Sequence, residues 1–321
     1  MSQVSPAPKL SFIQRVRAYY SSATLRSPKF WKDSLQAYIY LLPTLVILGV
    51  FTFYPFVNSF FLSLHEGAIT NPTRNFVGFE HFQDLMKDRK FWKAMTNTAF
   101  YVAVSVPATI FLALFFAVLL NTKIRFKGFF RTAFFLPYIT PTVAAAVVWE
   151  WIFHRDWGLF NSFLNFFGIP SQDWINNPQL AMPMVILFSI WKYMGFNIVI
   201  FLAGLQNISR EYYEAAEIDG ANAWQQFWRI TFPLLTPVTF FVLIISMIGA
   251  FKVFDEIFVI FHGGTGPLDS AMTIMILFYE TAFARFKMGY ASAIAYTMFI
   301  VIFLFTLLQM WLAKRRVHYG G

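Results

Sequence analysis

The 321-residue sequence contains no cysteine, which excludes disulfides and thiolate metal sites. Charge is scarce: 13% of the residues are Asp, Glu, Lys or Arg, against roughly 25% in an ordinary soluble domain. No G-x-x-x-x-G-K-[ST] stretch occurs, so a nucleotide's phosphates find no cradle in this chain. None of His65, His81, His154, His262 and His318 lies in an H-E-x-x-H pattern. No catalytic residue, cofactor site or metal site is therefore expected here.

Apolar residues are abundant. Hydrophobic residues make up 58% and aromatics 21%, with 42 phenylalanines and a mean hydropathy of +0.55. One soluble core cannot hide that much apolar surface, and disordered chains are poor in these residue types. The solvent for most of the chain is expected to be lipid. About 20 apolar residues cross a bilayer core, and six runs qualify, at about 37–62, 96–120, 132–153, 181–205, 234–254 and 290–312. Phe258–Phe261 and Met272–Tyr279 are too short to span and are expected outside the membrane or at its surface. The first run is too long for a signal-peptide core and lacks a small-residue cleavage site after it.

The net charge of +9 raises the question of nucleic acid, but the positions of the charges answer it. Residues 1–36 carry Lys9, Arg15, Arg17, Arg26, Lys29 and Lys32 against Asp33 alone. The loop after the second span carries Lys123, Arg125, Lys127 and Arg131 without an acid, and Lys314, Arg315 and Arg316 follow the last span. Basic residues favour the cytoplasmic side. The expectation is an all-α integral membrane protein with six transmembrane helices and both termini cytoplasmic: a basic N-terminal segment 1–36, a transmembrane domain 37–316 and a tail 317–321. Nucleic acid is not an expected partner; membrane lipid is.

One loop assigned to the cytoplasm breaks the charge rule. Residues 206–232 carry Glu211, Glu214, Glu217 and Asp219 against Arg210 and Arg229. Glu214 to Asp219 reads as a short helix that Gly220 ends, since glycine tolerates left-handed angles. Asn222 to Arg229 reads as a second amphipathic stretch carrying Trp224, Phe227 and Trp228. Adjacent alanines permit close approach and the acids give orientation against a basic surface, so the loop reads either as a docking element or as a plain connector.

The spacing Glu214–Ala215–Ala216, Gly220, Ile230–Thr231–Phe232–Pro233 resembles the E-A-A-x3-G-x9-I-x-L-P loop of ABC importer permeases, with Phe232 for the usual leucine. Trp191–Lys192, Gly195–Phe196 and Phe201–Leu202–Ala203–Gly204–Leu205–Gln206 look like the fourth span of the carbohydrate-uptake type. Phe135–Leu136–Pro137, Trp149, Gly158, Asn161 and Gly289–Tyr290–Ala291–Ser292–Ala293 are similar as well. The likeness covers about residues 36–316. It departs at Ser209, where the family usually has proline, and at Gly263–Gly264–Thr265–Gly266–Pro267, which reorders a glycine turn.

The resemblance implies the type I ABC importer permease fold. It also implies a second homologous permease subunit, two ATPase subunits that bind ATP and Mg, and an extracytoplasmic solute-binding protein. The setting implied is a bacterial or archaeal cytoplasmic membrane, crossed several times. Carried onto this chain, the ATPase-coupling residues are Glu214, Ala215, Ala216 and Gly220, then Asp219 and Ile218. The substrate pathway is expected at Lys192, Tyr193, Phe196, Asn197, Phe251, Lys252 and Asp255, where aromatic faces and polar groups suit a sugar. Lysines inside a span are costly unless they face a pathway or a partner. The outer segments Phe76–Lys93 and Trp157–Leu180 are expected as interfacial helices or binding-protein contacts. The expected function is a permease for a sugar or sugar-like solute such as an oligosaccharide, polyol or glycerol 3-phosphate. An ion-coupled secondary transporter is the alternative, but no internal repeat supports it. A membrane enzyme would require clustered His, Asp or Glu, and the sequence has no such cluster.

Overall fold

A computed structural model describes residues 28–66, 75–122 and 125–316. The basic residues Lys9 to Arg26, Lys123 and the tail 317–321 lie outside these. The chain divides into two compact units, residues 1–61 and 62–321.

The described part of the first unit is a single helical run. Helix α1 (Pro28–Leu48) passes through a π turn at Gly49–Phe53 into α2 (Tyr54–Ser63). Pro55 accounts for the π turn. Its ring displaces the carbonyl four residues back, and the Tyr54 N–H reaches Gly49 O instead. Tyr40, Phe51 and Phe53 are among many exposed large side chains on this run, a surface suited to lipid.

The second unit opens with a two-residue antiparallel pair, β1 (His65–Glu66) on β2 (Asn75–Phe76), and α3 (Glu80–Lys87). Helix α4 (Arg89–Asn121) follows, with Asp88 capping it by accepting from Lys90 N. Next come α5 (Lys127–Ile139) and α6 (Thr142–Ile152), which meet at 99°. The expected straight third span over 132–153 is thus broken. Pro141 is the cause: the residue before a proline is driven out of the helical region, and Thr140 is extended at φ −65°, ψ 135°. The described residues hold five helices long enough to cross a membrane, and six spans if the bent pair counts as one.

Helix α7 (Leu159–Phe166) leads to α8 (Ala181–Gln206), the most buried of these helices. Then come α9 (Arg210–Ile218), α10 (Ala223–Gln226), α11 (Thr236–Phe251), α12 (Asp255–Ile260), α13 (Ile274–Tyr279) and α14 (Met288–Arg316). A second π turn, Phe227–Thr231, precedes Pro233 as the first precedes Pro55.

Small residues bring α8 onto its neighbours, the usual route to tight packing in lipid. A Cβ on Gly195 would sit 1.8 Å from Phe134 O, and one on Gly204 would sit 2.8 Å from the Val238 side chain. Ala113 and Ala117 of α4 are fully buried beside Phe201 and Leu202 of α8. The two short apolar stretches, 258–261 and 272–279, contribute to the protein's own core, with Ile260 of α12 and Ile274 and Leu277 of α13 buried. Within Phe76–Lys93, Leu85 and Phe91 are packed on Met272, Ile274 and Ile294, while Phe76, Phe79 and Trp92 stay exposed. Trp174 of the other expected interfacial segment is packed beside Phe153 and Phe160.

Candidate functional site: a polar cavity and an exposed helical loop

A cavity of about 500 Å³ lies among α4, α5, α8, α11 and α12. One wall is a polar stripe on α4, where Tyr101, Ser105 and Thr109 follow one another at four-residue spacing and so share a helix face. Helix α8 contributes Ser189, Tyr193, Phe196 and Asn197, again on one face. Ser246 and Gly249 of α11 line it too, as do Lys252, Asp255 and Glu256, which follow the break after Phe251.

The polar groups are joined across helices. The Tyr101 hydroxyl donates to Ser189 Oγ at 2.7 Å. Ser189 Oγ lies 2.9 Å from Val185 O and 3.3 Å from Glu256 Oε1. Asn197 Nδ2 donates to Ser246 Oγ at 3.2 Å. Ser105, Thr109, Ser189, Asn197 and Glu256 are all buried, so these polar atoms sit where an unmet bond is costly. Beside them is an aromatic wall: Tyr138 of α5 stacks on Phe196, with centroids 4.7 Å apart and planes 19° apart, and meets Tyr193 edge-on. Chemically the cavity offers both hydroxyl and carboxyl partners and flat aromatic faces.

Of the residues expected in a substrate pathway, Tyr193, Phe196, Asn197, Lys252 and Asp255 line the cavity. Lys192 and Phe251 do not. Phe251 is buried in the core and its ring faces Phe305. Lys192 is 3% exposed, and its Nζ donates to Thr140 O at 2.7 Å and Pro137 O at 3.3 Å. Sequence reasoning missed Tyr101, Ser105, Thr109, Tyr138, Ser189, Ser246 and Glu256. The α4 stripe carried a usable signal, three hydroxyl residues at helical spacing inside an apolar run. Tyr138 carried none, because its place depends on the break at Pro141.

The loop between α8 and α11 is a second distinct region. Ser209 caps α9 by accepting from Glu211 N, which gives a physical reason for a serine at that position. Gly220 adopts φ +77°, and the Ala221 N–H reaches back to Ala216 O at 2.8 Å, closing the helix end as glycine permits. Asn222 and Gln225 form a reciprocal cap on α10. The Tyr213 hydroxyl bonds Thr231 Oγ1 at 2.9 Å. Glu214, Ala215, Ile218 and Asp219 are exposed, Ile218 at 87% and Trp224 at 70%. A depression of about 340 Å³ between the two short helices is lined by Ala216, Asp219, Gly220 and Arg229 among others.

Elsewhere, several residues that carry the resemblance sit at forced contacts. Asn161 is buried, donates to the carbonyls of Arg155 and Gln172, and accepts from Trp174 Nε1. A Cβ on Gly289 would lie 2.2 Å from His65 O, and the Tyr290 hydroxyl donates to Asp88. Glu150 pairs with His262 at 3.2 Å.

Comparison with known proteins decides the family. Residues 105–318 match the model of the binding-protein-dependent transport system inner membrane component. This chain belongs to that family. A probable ABC transporter permease, YesP of Bacillus subtilis strain 168, is 37% identical over 93% of this chain and 97% of its own. The arabinooligosaccharides transport system permease AraP of Halalkalibacterium halodurans is 36% identical over 88% of this chain and 89% of its own. Among solved structures, a chain of a bacterial alginate ABC transporter, in complex with its alginate pentasaccharide-bound periplasmic protein, matches with a TM-score of 0.78. It is 25% identical over 91% of this chain and 100% of that one. The permease therefore has the type I ABC importer fold.

Proposed function

We propose that this permease is one transmembrane subunit of an ATP-driven importer of a saccharide or saccharide-like solute. The observation that carries the reading is the cavity: a stacked aromatic pair lining the same space as buried hydroxyl and carboxyl groups suits a ring with an apolar face and a hydroxylated rim. The names of similar proteins, which refer to arabinooligosaccharides and alginate, support the same class. A solute-binding protein on the outer side delivers the solute, and a second homologous permease completes the pathway.

Two ATPase subunits, holding ATP and Mg, serve the permease pair, and one of them docks on the α9–α10 loop of this chain. The exposed Glu214, Ala215, Ile218 and Asp219, and the turn at Gly220, support that role. Closure of the ATPases moves α9, and the helices joined to it switch the pathway between outward and inward access. Basic residues at both ends of the chain support cytoplasmic termini, and the setting is a bacterial or archaeal cytoplasmic membrane. ATPase activity of the reconstituted complex, with its binding protein and a panel of neutral and acidic oligosaccharides, polyols and glycerol 3-phosphate, tests the reading. Stimulation of hydrolysis by one of these supports it; stimulation by none of them, but by an amino acid or a metal ion offered beside them, overturns the solute class.

A further inference from the structure

Resting on the reading of the cavity as the solute site, we infer that Lys192 is a positioning residue: by bonding the broken end of α5 it holds Tyr138 against Phe196 and so sets the aromatic wall. An ammonium buried in an apolar bundle is costly unless its donors are used. Two of the three go to Pro137 O and Thr140 O. Those acceptors exist because the span breaks. The last carbonyls of a helix have no partner within it, and Thr140 covers only Leu136 O, with its own N–H and hydroxyl. A cation at a helix C-terminus is also favoured by the backbone dipoles.

Tyr138 lies between the two bonded carbonyls in sequence, and its ring stacks on Phe196, one helical turn beyond Lys192 on α8. Gly195, on the same part of α8, admits Phe134 O. The end of α5 is thus gripped by contact at Gly195, by charge at Lys192 and by stacking at Phe196. Tyr138, Tyr193 and Phe196 line the cavity while Lys192 does not. With a side chain that has no donor at 192, two carbonyls lose their partners, and the end of α5 shifts to recover them and carries Tyr138 away.

The absence of cysteine makes the test direct. In the assembled complex, Tyr138→Cys with Phe196→Cys is bridged by a short bifunctional methanethiosulfonate, and this chain's remaining thiols are counted by maleimide–polyethylene glycol gel shift. Bridging is expected to be efficient with Lys192 or Lys192→Arg and to fall at least about fivefold with Lys192→Met, the loss that even one of its two bonds would cause. Lys192→Gln, used if the methionine variant does not assemble, should lie between; bridging unchanged from Lys192 in the tested uncharged variant overturns the inference.

A second arm follows uptake of arabinotriose, lactose and maltotriose into proteoliposomes. Lys192→Met should raise KM about tenfold with little change in kcat, and should add nothing in a Tyr138→Ala background, where the group it acts through is gone. Additive effects would mean that Lys192 acts on the solute independently, and would overturn the inference. If no saccharide is taken up by the unaltered complex, the sugar reading fails while the bridging arm still decides the role of Lys192.

Discussion

The cavity wall and the α9–α10 loop are built on opposite principles. Around the cavity, helices touch at backbone distance and polar atoms are tied across elements, as at Gly195 against Phe134 O, Tyr101 with Ser189, and Lys192 on the end of α5. In the loop, order comes from within: Ser209, Gly220 and the Asn222–Gln225 pair close the helix ends, while the outer face stays bare. A wall fixed by its neighbours can keep a solute's shape, whereas a locally capped helix with an exposed face can be gripped and moved by a partner. Substitutions in the first region are expected to change folding and solute affinity, and those in the second to change coupling.

The sharpest break in that comparison is Gly195→Leu. A side chain there meets backbone that cannot yield, so a loss beyond the usual ~1–3 kcal/mol of overpacking is expected, read as failure to recover monodisperse protein in detergent. Recovery with unchanged melting would show the α5–α8 contact to be loose. Next is Glu214→Lys on the loop side. If the proposed ATPase surface that meets the acidic α9 is basic, a like charge there costs several kcal/mol, so ATPase stimulation should vanish while the melting temperature stays within about 2 °C. A melting shift instead of lost stimulation would make α9 a structural element.

Smaller effects sharpen the contrast. Tyr101→Phe removes the donor to Ser189 and should cost about 1 kcal/mol, appearing as a several-fold rise in uptake KM with the fold retained; an unchanged KM would detach this bond from the solute site. Ser209→Ala should weaken α9 alone by about 1 kcal/mol, speeding hydrogen exchange of amides 211–218 about fivefold without altering KM. Smallest is Glu150→Gln. Its partner His262 has a side chain 77% exposed, and a pair of that kind contributes about 1 kcal/mol or less, so neither melting nor uptake should move measurably.

Much of this was legible from residues alone, and the exceptions share a cause. Apolar runs located the spans, because lipid demands length and apolarity and little else. Gly220 and Glu214–Asp219 located α9, because helix ends obey local rules. The third span misled for a reason that was itself local: Pro141 marks the break, but twenty apolar residues read as one helix when only their polarity is weighed. Lys192 and Phe251 were placed in the pathway because a span's polar and aromatic residues advertise function. Only the bent end of α5 shows that the lysine serves two carbonyls. Tyr138 and Glu256 depend on where breaks aim the chain, and no periodicity encodes that.

In the proposed function this chain is a passive pathway driven through its loop by separate ATPases. The measurement that tests it most directly is saccharide uptake into proteoliposomes holding the permease pair and binding protein, with and without the ATPase subunits and ATP. Uptake only when ATPase subunits and ATP are both present is the predicted result. Uptake at the full rate without the ATPase subunits, driven by an ion gradient or by none, would contradict it.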